Sequence, residues 1–210
     1  PLLAKRAGRS IFRVEQLQKE QISTLRECAL WLAAAFAVRV LFFLMTPQVI
    51  DSADSILYLD AAQKLSEWRV DELYPRIPML YSACSAFVHK FISDIETAAI
   101  AVSLVFGSLL VIPVYLLSNR LHGRSAARIA ALTVAIWPWL VDYSCRVAPE
   151  ALYVTFWFAA IYAVLTIARG KAWVCAVLAL FLLCLHLARP EGIVIAITVI
   201  VAGLIPGQDR

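Results

Sequence analysis

Six apolar runs alternate with short polar breaks along this chain: residues 28–46, 97–117, 126–141, 151–168, 172–188 and 193–205. The runs are close to continuous instead of amphipathic, which fits helices surrounded by lipid better than a larger soluble core. The breaks carry the turn chemistry that ends helices, as in His122-Gly123-Arg124, Pro149-Glu150 and Arg189-Pro190-Glu191-Gly192. Two stretches have a different rhythm. In residues 1–27, Ile11, Val14, Leu17, Ile22 and Leu25 recur near helical spacing among Arg13, Glu15, Lys19 and Glu20. That predicts a basic amphipathic helix on the cytoplasmic membrane surface, with a flexible tail as the alternative. Residues 47–96 are mixed. Ser52 is a plausible N-cap that places Asp54 in a first turn, where the helix dipole favours negative charge, with Tyr58 four residues on. Leu57, Ala61 and Leu65 fall on one face of that helix. Pro75 and Pro78 then forbid a continuous helix, and 79–92 reads as an amphipathic interfacial helix too short and polar to span. The pattern as a whole predicts an all-α, polytopic integral membrane protein. It has about six membrane-embedded helices plus juxtamembrane helices in the first outer loop.

Composition agrees. The chain is 62% hydrophobic and 16% charged, with a mean hydropathy of +0.78; an ordinary soluble domain is about 45–50% apolar. The net charge of +4 comes from bases at the ends of apolar runs, which sets topology and does not indicate nucleic acid. With the N-terminus inside, Lys5, Arg6, Arg9, Arg13, Arg120, Arg124, Arg128, Arg169 and Lys171 are cytoplasmic. The loop 47–96 then sets Asp51, Asp54, Asp60, Glu67, Asp71, Glu72, Asp94 and Glu96 against Lys64, Arg69, Arg76 and Lys90. It follows that 51–96, 142–150 and 189–192 face one outer compartment. Arg39, inside the first run, is expected either to snorkel outward or to pair with a carboxylate or phosphate in that loop. Trp137 and Trp139 are expected as interface anchors at the far end of the third run. Cys28, Cys84, Cys145, Cys175 and Cys184 form no CxxC and read as small hydrophobes. No cleavable signal peptide is visible.

The polar groups gathered on the outer side are Asp51, Asp54, Tyr58, Arg76, Arg146, Glu150, His186, Arg189 and Glu191. Arginines fork onto phosphate oxygens and a carboxylate can take a hydroxyl proton, so the set suits a phosphorylated lipid. An ordinary solvated loop is the alternative on spacing alone. His186 is expected as a packed or helix-end histidine, and Glu150 either holds an arginine or caps its helix. A Gly-rich phosphate loop, GxSxG, HExxH and paired CxxC are all missing, which leaves nucleotide binding, serine hydrolysis and zinc chemistry without support.

Several ordered motifs then coincide. They are Asp54-Ser-Ile-Leu-Tyr58-Leu-Asp60-Ala-Ala after the first run, Leu73-Tyr74-Pro75 with Pro78-Met-Leu-Tyr81, and 103–117 with Gly107, Pro113 and Tyr115. Leu121-His-Gly123-Arg, Trp137-Pro138, Pro149-Glu150-Ala-Leu and Leu187-Ala-Arg189-Pro190-Glu191-Gly192 follow. In this order, over roughly 28–205, the chain resembles the N-terminal half of the GT-C membrane glycosyltransferases, in particular the bacterial relatives of protein O-mannosyltransferases and the lipid A aminoarabinose transferase. The resemblance implies a cell inner-membrane, multi-pass enzyme that moves a sugar from a polyprenyl-phosphate-linked donor to a glycan, lipid or protein acceptor on the extracytoplasmic face. It implies Asp54 as catalytic base. The family often carries a second acid directly after that residue; here Ser55 follows, and Asp51 is the candidate partner. Tyr58, Arg76, Arg146, Glu150, Arg189 and Glu191 are the expected substrate-binding residues, with Arg189 neutralising the departing lipid phosphate and Arg146 or Arg76 as further candidates for that role. No cofactor is certain, and a divalent metal is left open. The expected organisation is a cytoplasmic segment 1–27, a membrane module 28–205 with its first outer loop at 47–96, and 206–210 as a tail or as the continuation of a longer chain, since family chains are usually longer. The alternatives are a non-enzymatic membrane component that binds or moves a lipid-linked sugar, and a structural partner subunit.

Overall fold

The computed structural model of the chain describes residues 2–46, 52–75, 77–167 and 172–204, with side chains at 16, 18–46, 52–75, 77–166 and 173–198. Among the described residues every regular element is helical. The expected segments 1–27 and 28–46 are not separate: both belong to one helix, α1 (Leu2–Met45). Between Arg9 and Thr46 the chain holds neither glycine nor proline, so nothing interrupts the hydrogen-bond ladder where the composition changes. The stretch after α1 contains α2 (Ala53–Ser66), a 3-10 turn at Val70–Glu72 and α3 (Met79–His89). Then come α4 (Ile95–Leu109) and α5 (Val111–His122). They run on through Leu110, which keeps right-handed φ −52° and ψ −32°. Pro113 removes the N–H that Leu109's carbonyl would accept, so the ladder lacks that bond there.

The expected span 126–141 is broken. α6 (Arg124–Ile136) stops because Pro138 pushes Trp137 to φ −62°, ψ 120°, and α7 (Pro138–Tyr143) restarts at a new angle. The last three helices are α8 (Glu150–Ile167), α9 (Ala172–Ala188) and α10 (Gly192–Leu204). Gln18–Met45 and Ile95–His122 are long and apolar enough to cross a membrane, 28 residues each with mean hydropathies of 2.2 and 2.5. At 1.5 Å per residue each is about 42 Å long, against a hydrocarbon layer of about 30 Å. α8 and α9 are apolar but shorter.

α4 lies at the centre, packed on α1, α3 and α8, while α2 rests on α3 and α9 on α8. Small residues allow this: Ala35, Ala98, Ala99, Ala127, Ala131, Ala135 and Ala160 are essentially buried, and small side chains let helices approach closely enough to gain dispersion energy without a hydrophobic drive.

Arg39 neither snorkels nor meets a loop carboxylate. Its side chain is fully buried. Nη2 donates to Val134 O at 3.1 Å, Nη1 to Ala35 O at 3.1 Å and Ala135 O at 3.4 Å, and Nε to Ser144 Oγ at 3.0 Å. The proline explains the partners. Val134's carbonyl would receive the N–H of residue 138, which Pro138 lacks, and Ala135's would receive that of residue 139, beyond the break. The guanidinium supplies both donors and places a positive charge at the negative end of α6. Gly107 makes room for this contact, since a Cβ there would lie 2.0 Å from Ser144 Oγ and 3.2 Å from Arg39 Nε. Gly107→Ala is expected to destabilise the protein by about 1–3 kcal/mol, read as a lower thermal midpoint in detergent. An unchanged midpoint would contradict the packing.

Roughly 27 Å along α1 from Met45 at 1.5 Å per residue, Glu27 ties the other end of the bundle together. It accepts from Arg128 at 2.7 and 3.0 Å and from Tyr115 Oη at 2.7 Å, and pairs with Arg124 at 3.1 Å. One carboxylate thus braces α1, α5 and α6.

Candidate active site

Ser52 caps α2 as its sequence position suggested. It is extended (φ −135°, ψ 146°), and its Oγ accepts the Ser55 N–H at 3.1 Å. Asp54 therefore enters the first helical turn and is exposed, with Tyr58 one turn further on. Ser55 points inward. Its hydroxyl, 4% exposed as a residue, donates to Val147 O at 2.8 Å and lies 2.9 Å from Ser52 Oγ. A carboxylate at position 55 would face a carbonyl oxygen with no proton to share. Here the residue after Asp54 joins α2 to the turn 144–149 and does not extend an acidic pair.

That turn is held from several sides. Tyr81, fully buried, donates through Oη to Ala99 O at 2.9 Å, contacts Ser103 Oγ at 2.9 Å and accepts the Ala148 N–H at 3.2 Å. Ser103 Oγ reaches Ala148 O at 3.2 Å. Tyr58 packs edge-on against Tyr81, with ring centroids 5.5 Å apart. Burial pushes the Cys145 thiol up to about 11, the Arg39 charge acting the other way.

Two adjoining cavities open over these elements. The first, about 280 Å³, is lined by Ser52, Asp54, Ser55, Tyr58, Tyr143, Arg146, Val147, Ala148, Pro149, Glu150 and Arg189. The second, about 230 Å³, is lined by Leu57, Tyr74, Ile77, Pro78, Pro190 and Glu191, and again by Asp54, Tyr58 and Arg189. The last three side chains form the partition between the two.

Arg189 stands just past α9, whose end is a tight turn: Gly192 N–H returns to Arg189 O at 3.0 Å. A Cβ on Gly192 would come within 2.5 Å of the Leu185 carbonyl, so only glycine fits. Arg189 Nη1 pairs with Glu150 Oε1 at 3.0 Å, Nε leans on Glu191 Oε2 at 3.7 Å, and the guanidinium lies 6.0 Å from the Tyr153 ring centre. Glu150 thus holds an arginine, and α8 begins at Glu150 with Pro149 directly before it. Glu150 Oε2 is buried and has no hydrogen-bond partner among the described residues, an arrangement that costs about 1–3 kcal/mol and concentrates negative potential beside Tyr58. Burial, and next the Glu150 charge, push the Tyr58 hydroxyl up to about 12. Arg146 pairs with Asp142 at 2.8 Å, and burial raises the Asp142 carboxyl.

The structure therefore brings Asp54, Tyr58, Arg146, Glu150 and Arg189 to one cavity, with Glu191 bordering only the second. His186 is exposed on α9 and lines neither. Asp51 and Arg76 fall outside the described residues. Asp60 and Glu67 lie on the solvated face, paired with Lys64 at 2.7 Å and Arg69 at 2.8 Å. Sequence reasoning missed Tyr143, Asp142 and the role of Ser55. The i, i+4 spacing of Asp142 and Arg146 was a usable signal; Ser55 gave none. Among the described residues no group of three or more His, Cys, Asp or Glu side chains is placed to hold a metal ion.

The raised Tyr58 value has a measurable sign. A tyrosine whose folded value lies above its unfolded one adds stability below about pH 10 that is lost as pH rises through about 12. In an ultraviolet difference titration, Tyr58→Phe is expected to remove a phenolate transition near pH 12 and none near 10. Loss of a transition near 10 would contradict the burial.

Residues 76–209 match the family model of dolichyl-phosphate-mannose-protein mannosyltransferases. A comparison with curated proteins finds no match. The matched segment includes Arg146, Glu150, Arg189 and Glu191 and begins after Asp54 and Tyr58. Since it covers more than half of the sequence, the chain belongs to the dolichyl-phosphate-mannose-protein mannosyltransferase family, membrane glycosyltransferases that use a lipid-linked sugar donor.

Proposed function

We propose that the chain carries the outer-face active site of a GT-C-type glycosyltransferase of the inner membrane. It transfers a sugar from a polyprenyl-phosphate-linked donor to a glycan, lipid or protein acceptor. Its affinity is with the bacterial branch of the family and with the N-terminal half of such enzymes. The N-terminus is cytoplasmic, about six helices are embedded in the membrane, and α2, α3, the turn 144–149 and the Arg189 turn face the extracytoplasmic side.

One observation carries this reading: Asp54, Tyr58 and Arg189 border both cavities at once. A transferase must set a base and a phosphate-binding cation where two substrates meet. Here a carboxylate and a guanidinium stand at that partition. Asp54 takes the proton of the acceptor hydroxyl as its oxygen bonds to the anomeric carbon. The bond from that carbon to the phosphate oxygen breaks through an oxocarbenium-like centre, so the proton is lost late and a weak base suffices. The lipid phosphate leaves with the electron pair, facing Arg189 with Arg146 nearby. A guanidinium has five N–H donors, so Arg189 can hold Glu150 and still offer hydrogen bonds to phosphate. Tyr58, Glu150 and Glu191 position the substrates, and Asp51 is a candidate second acid. The test compares the wild type with Asp54→Asn in proteoliposomes holding a labelled polyprenyl-phospho-sugar. Loss of transfer with donor binding kept supports the reading; full transfer by the variant overturns the base, and binding without transfer by the wild type favours a non-enzymatic carrier component.

A further inference from the structure

Arg39 is a buried charge that the transfer step does not use. Hydrophobic residues could fill its volume, yet they would leave Val134 O, Ala135 O and Ser144 Oγ without its donors. The helix ends need only Nη1 and Nη2; the third branch, Nε to Ser144 Oγ at 3.0 Å, has a different address. Ser144 opens the turn that carries Arg146 to the first cavity and ends where α8 begins at Glu150. Ser144 Oγ also donates to Leu140 O, and Cys145 Sγ approaches Arg39's own carbonyl at 3.5 Å. At the far end of the turn, Ser55 holds Val147 and Tyr81 holds Ala148.

We propose that Arg39 is a positioning residue for the active site: its guanidinium fixes the start of the turn 144–149 against α1 and α6, and so sets Arg146 and Glu150 across the cavity from Asp54. Lysine cannot replace it. A single ammonium reaches one or two of these acceptors, whereas the planar fork reaches carbonyls and hydroxyl in different directions at once. The consequence for turnover rests on the proposed sugar transfer; the placement of the turn does not.

Two variants separate this role from simple helix capping. Ser144→Ala removes only the Nε acceptor and leaves the carbonyl contacts of Arg39 in place. Arg39→Lys keeps the charge and loses the fork. Cys145, 3% exposed within the turn, is a native reporter, and its reaction with maleimide, followed peptide by peptide in the purified protein, reads the turn without any enzyme assay. Both variants are expected to label Cys145 about tenfold faster and to raise the KM for the polyprenyl-phospho-sugar about tenfold, with kcat within about twofold, the size of one charge-assisted hydrogen bond. The double variant is expected to equal the single ones, because both cut the same link. Unchanged labelling in both variants overturns the inference whatever the enzyme assay returns. So do faster labelling with an unaltered KM in a protein that transfers sugar, and additive effects in the double variant. A wild type that transfers no sugar, with variants that still label faster, overturns the functional reading and leaves Arg39 as the residue that holds the turn.

Discussion

Asp54→Asn is expected to slow sugar transfer by about 10²–10⁴-fold, the usual contribution of a general base, while the affinity for the lipid-linked donor stays within about twofold. The change keeps size and shape and removes only the ability to accept a proton. Among the described residues the carboxylate has no hydrogen-bond or ion-pair partner, and its charge in the first turn contributes only about 0.3–1 kcal/mol; Asp54 is exposed, and α2 is started by Ser52 and anchored by Ser55. A fall in both kcat and kcat/KM marks an interaction made in the transition state. A rise in KM alone would make Asp54 a binding residue. Asp60→Asn is the matched control, because Asp60 is half exposed and, among the described residues, pairs with Lys64 alone; such a surface pair contributes roughly 0–1 kcal/mol. If Asp60→Asn matched the loss in Asp54→Asn, the assignment would fail.

Arg189→Ala is expected to have two separable effects. The Arg189–Glu150 pair is partly buried, with side-chain exposures of 37% and 29%. Removing Arg189 leaves Glu150 with one carboxylate oxygen already unpartnered and the other newly so. A loss of about 2 kcal/mol in stability follows, between the value of an exposed pair and the 3–5 kcal/mol of a fully buried one. Transfer is expected to fall by about 10²–10³-fold as well, because the leaving phosphate loses a preorganised cation. The double variant Arg189→Met/Glu150→Gln tells these apart. It removes the buried charge with its partner, so the thermal midpoint should return toward wild type while transfer stays low. Recovery of transfer together with stability would mean that Arg189 serves only the fold. Arg189→Lys should fall between, since it keeps a charge and loses the fork that fits phosphate.

How far the sequence could be read differs from place to place. The helical class, the cap at Ser52 and the break at Arg189-Pro190-Glu191-Gly192 are local matters of period, capping residues, proline and glycine. Each appears in the structure where it was expected. The broken helix at Trp137–Pro138 was also local, but a long apolar run masked the pre-proline signal. The continuity of α1 was masked in the opposite sense: a change of composition suggested two elements where no residue actually breaks a helix.

The sequence by itself determined that this chain is a set of apolar helices whose acidic and arginine-bearing turns fall at related ends, because hydrophobic period and turn residues act over a few positions. Only the tertiary structure decided what those turns do together. It placed Asp54, Tyr58 and Arg189 on the partition between two cavities, turned Ser55 inward to Val147, and gave the buried Arg39 its partners. Those partners lie up to 105 residues away. Spacing from Pro138 marks Val134 as a carbonyl without its donor, but that Arg39 reaches it and that Gly107 leaves the space depend on how helices far apart in the chain pack, which no spacing along it encodes.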